Sequence, residues 1–109
     1  MSWHAYHRRR AAIAAVIDHA QRNPHGGLPY EALPEVVAVF PERSDLIHAL
    51  QHDWSSSLWA QIELIGFTTR SRLLDAATVC REAWNVTATT KPTLRRLLDQ
   101  HSDEVLSAD

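Results

Sequence analysis

The chain has 109 residues, of which 45% are hydrophobic and 22% are charged, and its formal net charge is −2. These values are ordinary for one globular domain and argue against a disordered chain or a coiled-coil rod. The longest apolar runs, such as 36–40, are far shorter than the roughly 20 residues that cross a bilayer. A single cysteine, Cys80, excludes an internal disulfide framework. We therefore expect a soluble, cytoplasmic protein with no membrane partner.

The first predicted element is a helix that begins after Ser2, a favoured N-cap residue, and ends at about Asn23. Pro24 disfavours its continuation, and Gly26 and Gly27 then form a loop. We expect the buried seam of this helix, which includes Arg10, to hold these residues at helical spacing: Trp3, Tyr6, Ile13, Ile17 and Ala20.

The segment 28–40 contains Pro29 and Pro34, each acceptable in the first turn of a helix and damaging inside one, so it predicts two short turns. The longest predicted helix then begins near Ser44 and ends at about Ile65, before Gly66. Its buried stripe is predicted to contain the apolar residues at spacings of three and four: Ile47, Leu50, Trp54, Leu58, Ile62 and Ile65.

Two further helices follow, over about 71–86 and from about Pro92. The first of them is predicted to bury Leu73, Ala77, Cys80 and Trp84, and the second to bury Leu94, Leu97 and Leu98. No alternating strand pattern is present. We therefore predict an all-α fold in which residues 1–100 form one bundle of five or six helices and residues 101–109 form a frayed acidic tail.

A second stripe, formed by His48, His52 and Trp59, lies about 120° around the longest helix from its apolar stripe. Such an aromatic flank suits an interface with a protein partner or a second copy of the chain, because tryptophan buries a large area at low entropic cost. The alternative is that the bundle packs this helix on two sides, which would make Trp59 a core residue.

The same helix raises a metal hypothesis, since His48 and His52 are four residues apart and their imidazoles project from one side. His4 and His7, three apart on the first helix, form a second pair. The four imidazoles could bind zinc only if the two helices bring them together. The carboxylate pattern of a di-metal bundle is missing, so we expect no metal and no other cofactor.

Three consecutive arginines, Arg8, Arg9 and Arg10, are candidates for phosphate contacts. Consecutive residues fan around a helix, however, so a solvated basic turn is the simpler interpretation. With 11 basic and 13 acidic residues, the chain is also less basic than a typical nucleic-acid-binding protein. Nucleic acid is therefore not the favoured partner.

The residue types of a hydrolase occur at His52, Asp53 and the serines 55–57, but without a Gly-x-Ser-x-Gly elbow or a strand to carry one. No glycine-rich phosphate loop is present either. We therefore predict that the protein is not an enzyme.

Three segments resemble TetR-family transcriptional regulators. RRRAAIAAVIDHA is similar to their first helix, VFPERSDLIHAL to the junction into their fourth, and LLDAATVCREAWNVTATTKPTLRRLLDQ to the early helices of their ligand-binding domain. The stretch 13–40 is too short for a complete helix-turn-helix, and Pro34 falls where that motif needs continuous helix. The resemblance implies a helical scaffold that has lost operator recognition.

Together these features predict a small non-enzymatic interaction module with a regulatory role, and self-association is one expected form of the interaction. The alternative hypothesis is a DNA-binding regulator with a reduced TetR-like fold, in which the arginines of residues 8–10 contact phosphates.

Overall fold

A computed structural model describes residues 3–68 and 75–101. These residues form five α-helices and no strand, which confirms the predicted all-α fold. Among them, no helix combines the length and the apolarity that a membrane crossing requires. The helices are α1 (Trp3–Arg22), α2 (Pro34–Val39), α3 (Arg43–Thr68), α4 (Ala76–Thr90) and α5 (Pro92–Gln100).

The hydrophobic core lies where α1, the segment 28–40, the beginning of α3 and α5 meet. We call this part of the molecule the body. Its most completely buried large side chains come from each of these elements: Val16, Val36, Phe40, Leu46, Leu50 and Leu97. The predicted burial of Leu94, Leu97 and Leu98 in α5 is confirmed.

The segment 28–40 forms one turn followed by the short helix α2, where two turns were predicted. Pro34 occupies the first turn of α2. A backbone N–H at this position has no acceptor within the helix, so its absence in proline costs no hydrogen bond. The Tyr30 hydroxyl donates a hydrogen bond to the Phe40 carbonyl at 2.6 Å and so joins the two ends of the segment. Burial of the phenol, and then the negative charge of Asp45, raise the pKa of Tyr30.

The C-terminal end of α1 is completed by residues from the far end of the chain. Arg96 donates hydrogen bonds to the carbonyl of Ala20, at 2.8 Å, and to that of Pro24. The last carbonyls of a helix lack intrahelical partners, so a guanidinium at this position satisfies them. The Leu28 N–H donates to Nε2 of His101 at 3.1 Å, so His101 belongs to the body, while the rest of the predicted tail lies outside the described residues.

The predicted seam of α1 is partly wrong. Trp3 and Tyr6 are exposed, and the fully buried positions are Ala12, Val16 and Ala20. The fully buried positions of α1 therefore carry small side chains, which let the helix approach its neighbours closely. Ile13 and Ile17 lie at the edge of this face and pack against the core.

The predicted buried stripe of α4 is wrong in the same way. Ala77 and Cys80 are exposed and Trp84 is largely exposed, whereas Ala83 and Thr87 are buried; Leu73 lies outside the described residues. Only the end of α4 nearer the body is covered, so the periodicity of its apolar residues overestimates how many of them are buried.

Candidate interaction surface

The helix α3 is longer than the body that it crosses. Its 26 residues extend about 39 Å at 1.5 Å per residue. The buried side chains of α3 all lie in its first half, from Leu46 to Trp54, and none of residues 55–66 is buried. The second half of α3 therefore projects beyond the hydrophobic core.

The beginning of α4 shows the same lack of burial, since none of residues 75–82 is buried. We call residues 55–66 and 75–82 together the outer hairpin. The two helices pack against each other there, and Leu58, Ile62 and Val79 are only partly buried. Asp75 caps α4 by accepting a hydrogen bond from the Thr78 N–H at 2.7 Å, and that bond lowers the pKa of Asp75.

All three residues of the predicted flank, His48, His52 and Trp59, are exposed. At 100° per residue their directions from the α3 axis fall within about 40° of one another, so the helix places them on one face. Trp59 is 63% exposed, whereas Trp54, one and a half turns earlier, is 7% exposed. Trp59 is therefore a surface residue of this chain, and the interpretation of Trp59 as core does not describe the structure.

The end of this flank nearer the body is polar. A hollow of about 350 Å³ is lined there by His48, His52 and Arg9, together with Asp45. The guanidinium of Arg9 lies 5.1 Å from the centre of the Phe40 ring, at a cation–π distance. The flank thus runs from two imidazoles and a guanidinium to an apolar tryptophan in the outer hairpin.

The three consecutive arginines point in different directions. Arg9 lies over Phe40, Arg10 forms an ion pair with Asp53 at 3.6 Å, and Arg8 is exposed. Two of the three predicted phosphate-contacting side chains therefore have partners within the protein, and the triplet does not form one basic face.

The four candidate metal-binding imidazoles are not assembled. Among residues 3–68 and 75–101, no group of three or more His, Cys, Asp or Glu side chains is placed to hold a metal ion. His7 instead packs edge-on against Trp3 and Tyr6, with ring centres 4.2 and 5.5 Å apart. His4, which follows Trp3 in the chain, is exposed.

Two clusters of side chains in the structure were not predicted from the sequence. The Asp53 carboxylate lies 3.3 Å from the Lys91 Nζ and 3.6 Å from the Arg10 guanidinium. The guanidinium of Arg95 lies over the Trp54 ring, with its carbon 4.5 Å from the ring centre, and close to Trp84. The contacts to Asp53 and the contact of Arg95 with Trp54 join residues about 40 positions apart, and helical periodicity carries no information about such pairs.

The candidate hydrolase residues Asp53 and His52 lie in different surroundings. The Asp53 carboxylate is engaged by Lys91 and Arg10, and His52 is exposed on the flank. No protein-family model matches the chain, and no curated protein or solved structure matches it.

Proposed function

We propose that the protein is a non-enzymatic helical interaction module with a regulatory role, and that it pairs with a second copy through Trp59 and the outer hairpin. One observation carries this proposal. The outer hairpin has apolar residues at helical spacing, yet none of its described residues is buried. Helices gain most of their stability in proteins by burying an apolar face, and this hairpin buries little of its own.

The outer hairpin of a second copy would bury these exposed apolar side chains. Two helical hairpins packed together make a four-helix bundle, in which each helix buries its apolar side against the others. Most soluble homo-oligomers are two-fold dimers in which the same patch meets itself. Trp59, at 63% exposure, is the type of residue that dominates the energy of such interfaces.

The charge of the flank supports self-association. Between residues 52 and 66, the residues nearest the direction of Trp59 are Ser55, Ser56, Ile62 and Glu63, and Glu63 is the one charged residue of 55–66. A patch that faces its own copy brings identical side chains close together, and like charges there would oppose pairing. With one charged residue, this part of α3 keeps that cost small.

The shape of the chain supports the proposal as well. The Cα radius of gyration is 15.8 Å, whereas a compact domain of this length has a radius of about 13 Å. The long dimension of the molecule is 49 Å, against 34 and 31 Å for the other two. An extended hairpin of this kind offers a partner a larger contact area than a sphere of equal mass.

The DNA-binding alternative has less support. Arg9 and Arg10 contact Phe40 and Asp53, and the net charge is −2. A protein that binds DNA through phosphate contacts needs several cations on one face. The reduced TetR-like fold therefore remains the second hypothesis, behind self-association.

Sedimentation velocity over about 1 to 200 μM, compared between wild type, Trp59→Ser and Trp3→Ser, tests the proposed pairing. We expect a wild-type dimer whose dissociation constant rises at least about tenfold in Trp59→Ser, because a central tryptophan is lost. Trp3, 72% exposed, is a tryptophan on α1 that does not belong to the outer hairpin, so Trp3→Ser should behave as wild type.

A wild-type chain that stays monomeric to about 200 μM would overturn the proposal, as would equal weakening by both substitutions. Circular dichroism of the two variants checks that helicity is retained. Since Trp59 is exposed, the loss of an apolar ring there should leave the fold of the single chain intact.

A further inference from the structure

A cleft of about 330 Å³ lies between α1, the Asp53 region of α3 and the junction of α4 with α5. Its lining combines apolar and charged residues. Ile13, Ile17 and Leu94 contribute apolar side chains, and Arg10, Lys91 and Asp53 contribute charged ones. The volume lies at the small end of the range of about 300 to 1,000 Å³ that is usual for ligand pockets.

The charged side chains of the lining are Arg10, Lys91, Asp53 and Asp18. Arg10 and Lys91 both face Asp53, whose side chain is 14% exposed, so two cations share one carboxylate. Asp18 is paired with Arg22, a residue outside the lining, at 3.0 Å. An Arg side chain has five N–H donors and a Lys side chain has three, and the contacts to Asp53 engage Nη1 of one and Nζ of the other.

We propose that this cleft binds a small organic anion with an apolar body. The anionic head, a carboxylate or a group of similar charge, lies beside Arg10 and Lys91, where charge-assisted hydrogen bonds are stronger than neutral ones. The apolar body lies along Ile13, Ile17 and Leu94, and its burial contributes hydrophobic free energy. The proposal is independent of dimerisation, because the cleft lies in the body and Trp59 does not line it.

The mixed lining of the cleft explains why an amphipathic ligand fits better than an inorganic ion. A bare anion would leave the apolar side chains of the lining in contact with water, and a neutral hydrocarbon would leave the donors of Arg10 and Lys91 with no added partner. Pockets for small molecules usually combine apolar side chains with a small number of polar groups that fix the orientation of the ligand.

Titration of the full chain with octanoate and, separately, with octan-1-ol, followed by ¹H–¹⁵N NMR, tests this proposal. We expect shifts centred on the amides of Ile13, Ala14 and Leu94, and a dissociation constant for octanoate at least about tenfold lower than for octan-1-ol. Lys91→Met keeps the aliphatic stem and removes the charge, and it should weaken octanoate binding by about tenfold.

Arg81→Met is the matched control, because it removes the same charge from an exposed position of α4 that does not line the cleft. Its affinity for octanoate should equal that of wild type. Equal affinities for octanoate and octan-1-ol, shifts centred on Trp59 or Trp84, or equal effects of Lys91→Met and Arg81→Met would each overturn the proposal.

A second variant keeps the test decisive if Lys91→Met loses helicity. Ile17→Trp fills part of the cleft from a partly exposed position on α1, and it should abolish octanoate binding. Wild-type affinity in a folded Ile17→Trp protein would contradict the assignment. The titrations are performed at a protein concentration at which sedimentation shows only the monomer. Their outcome then does not depend on whether the proposed dimer forms.

Discussion

A comparison of Leu46 with Leu64 shows how the two halves of α3 differ. They lie 18 residues apart, which is five full turns at 3.6 residues per turn, so they leave the helix in the same direction. Leu46 is 0% exposed and Leu64 is 56% exposed. Residue type and position on the wheel are the same, and the difference comes from the number of helices that pack around each half.

The same lesson holds on α4. Cys80, Ala83 and Thr87 share one side of this helix, but burial begins only at Ala83, closer to the body. The body is built from several elements, and the outer hairpin is built from α3 and α4. Substitutions at matched positions in the two parts should therefore have very different effects on stability.

The largest difference is expected between Trp54→Ala and Trp59→Ala. Trp54 is buried against Trp84 and Arg95, and its truncation should lower the free energy of unfolding by about 3–5 kcal/mol. Trp59→Ala should change that free energy by less than about 0.5 kcal/mol in the monomer. Urea unfolding at a concentration of about 1 μM measures both. Losses of similar size would mean that the two halves of α3 are equally packed.

A smaller, pH-dependent effect is expected from Tyr30 in the body. Its pKa is raised above the ordinary value of 10.0, so the neutral phenol is favoured in the folded state. The corresponding stabilisation is present below pH 10 and is lost as the pH rises through the raised pKa.

Urea midpoints measured from about pH 8 to about pH 11.5 should fall more steeply for wild type than for Tyr30→Phe, which has no phenol to ionise. Tyr6→Phe, at an exposed position on α1, is the control and should retain the wild-type slope. Parallel curves for wild type and Tyr30→Phe would rule out this coupling.

The smallest effect is expected at Asp75, which begins the α4 side of the outer hairpin. Its pKa is lowered from 3.8 because the ionised carboxylate accepts the Thr78 N–H. The stabilisation is therefore present above pH 3.8 and is lost as the pH falls through the lowered pKa.

Asp75→Asn keeps an oxygen acceptor and removes the charge, so it should slightly reduce helicity near neutral pH and become indistinguishable from wild type at about pH 2. Circular dichroism between these limits measures the difference. A difference that persists unchanged to about pH 2 would show that charge at this cap is unimportant.

The sequence predicts the helices better than their ends. The start of α3 differs by one residue from the prediction near Ser44, but the helix continues through Gly66, since glycine in a helix costs only about 1 kcal/mol relative to alanine. Similarly, α4 continues past Val86 to Thr90. The hydroxyls of Thr87, Thr89 and Thr90 each donate to the carbonyl four residues earlier, so these side chains are hydrogen-bonded within the helix.

Burial was predicted well only inside the body. Leu50, Trp54 and Leu97 are buried as expected, whereas Trp3, Tyr6 and Cys80 are exposed. Hydrophobic periodicity gives the direction of a side chain around its helix, but how far neighbouring helices reach along that helix depends on tertiary packing. For the same reason, the sequence places His48, His52 and Trp59 on one face of α3 but leaves open whether Trp59 is exposed, and it does not indicate the cluster around Asp53.

The bonds of Arg96 and His101 have a consequence for how the chain folds during synthesis. The end of α1 takes a hydrogen-bond donor from residue 96, and Leu28 donates to residue 101, so these contacts cannot form during synthesis until residues 96 and 101 have left the ribosome. Long-range contacts of this kind slow folding because a large loop must close first. The first helix of the nascent protein must therefore wait for these partners while more than 70 further residues are made.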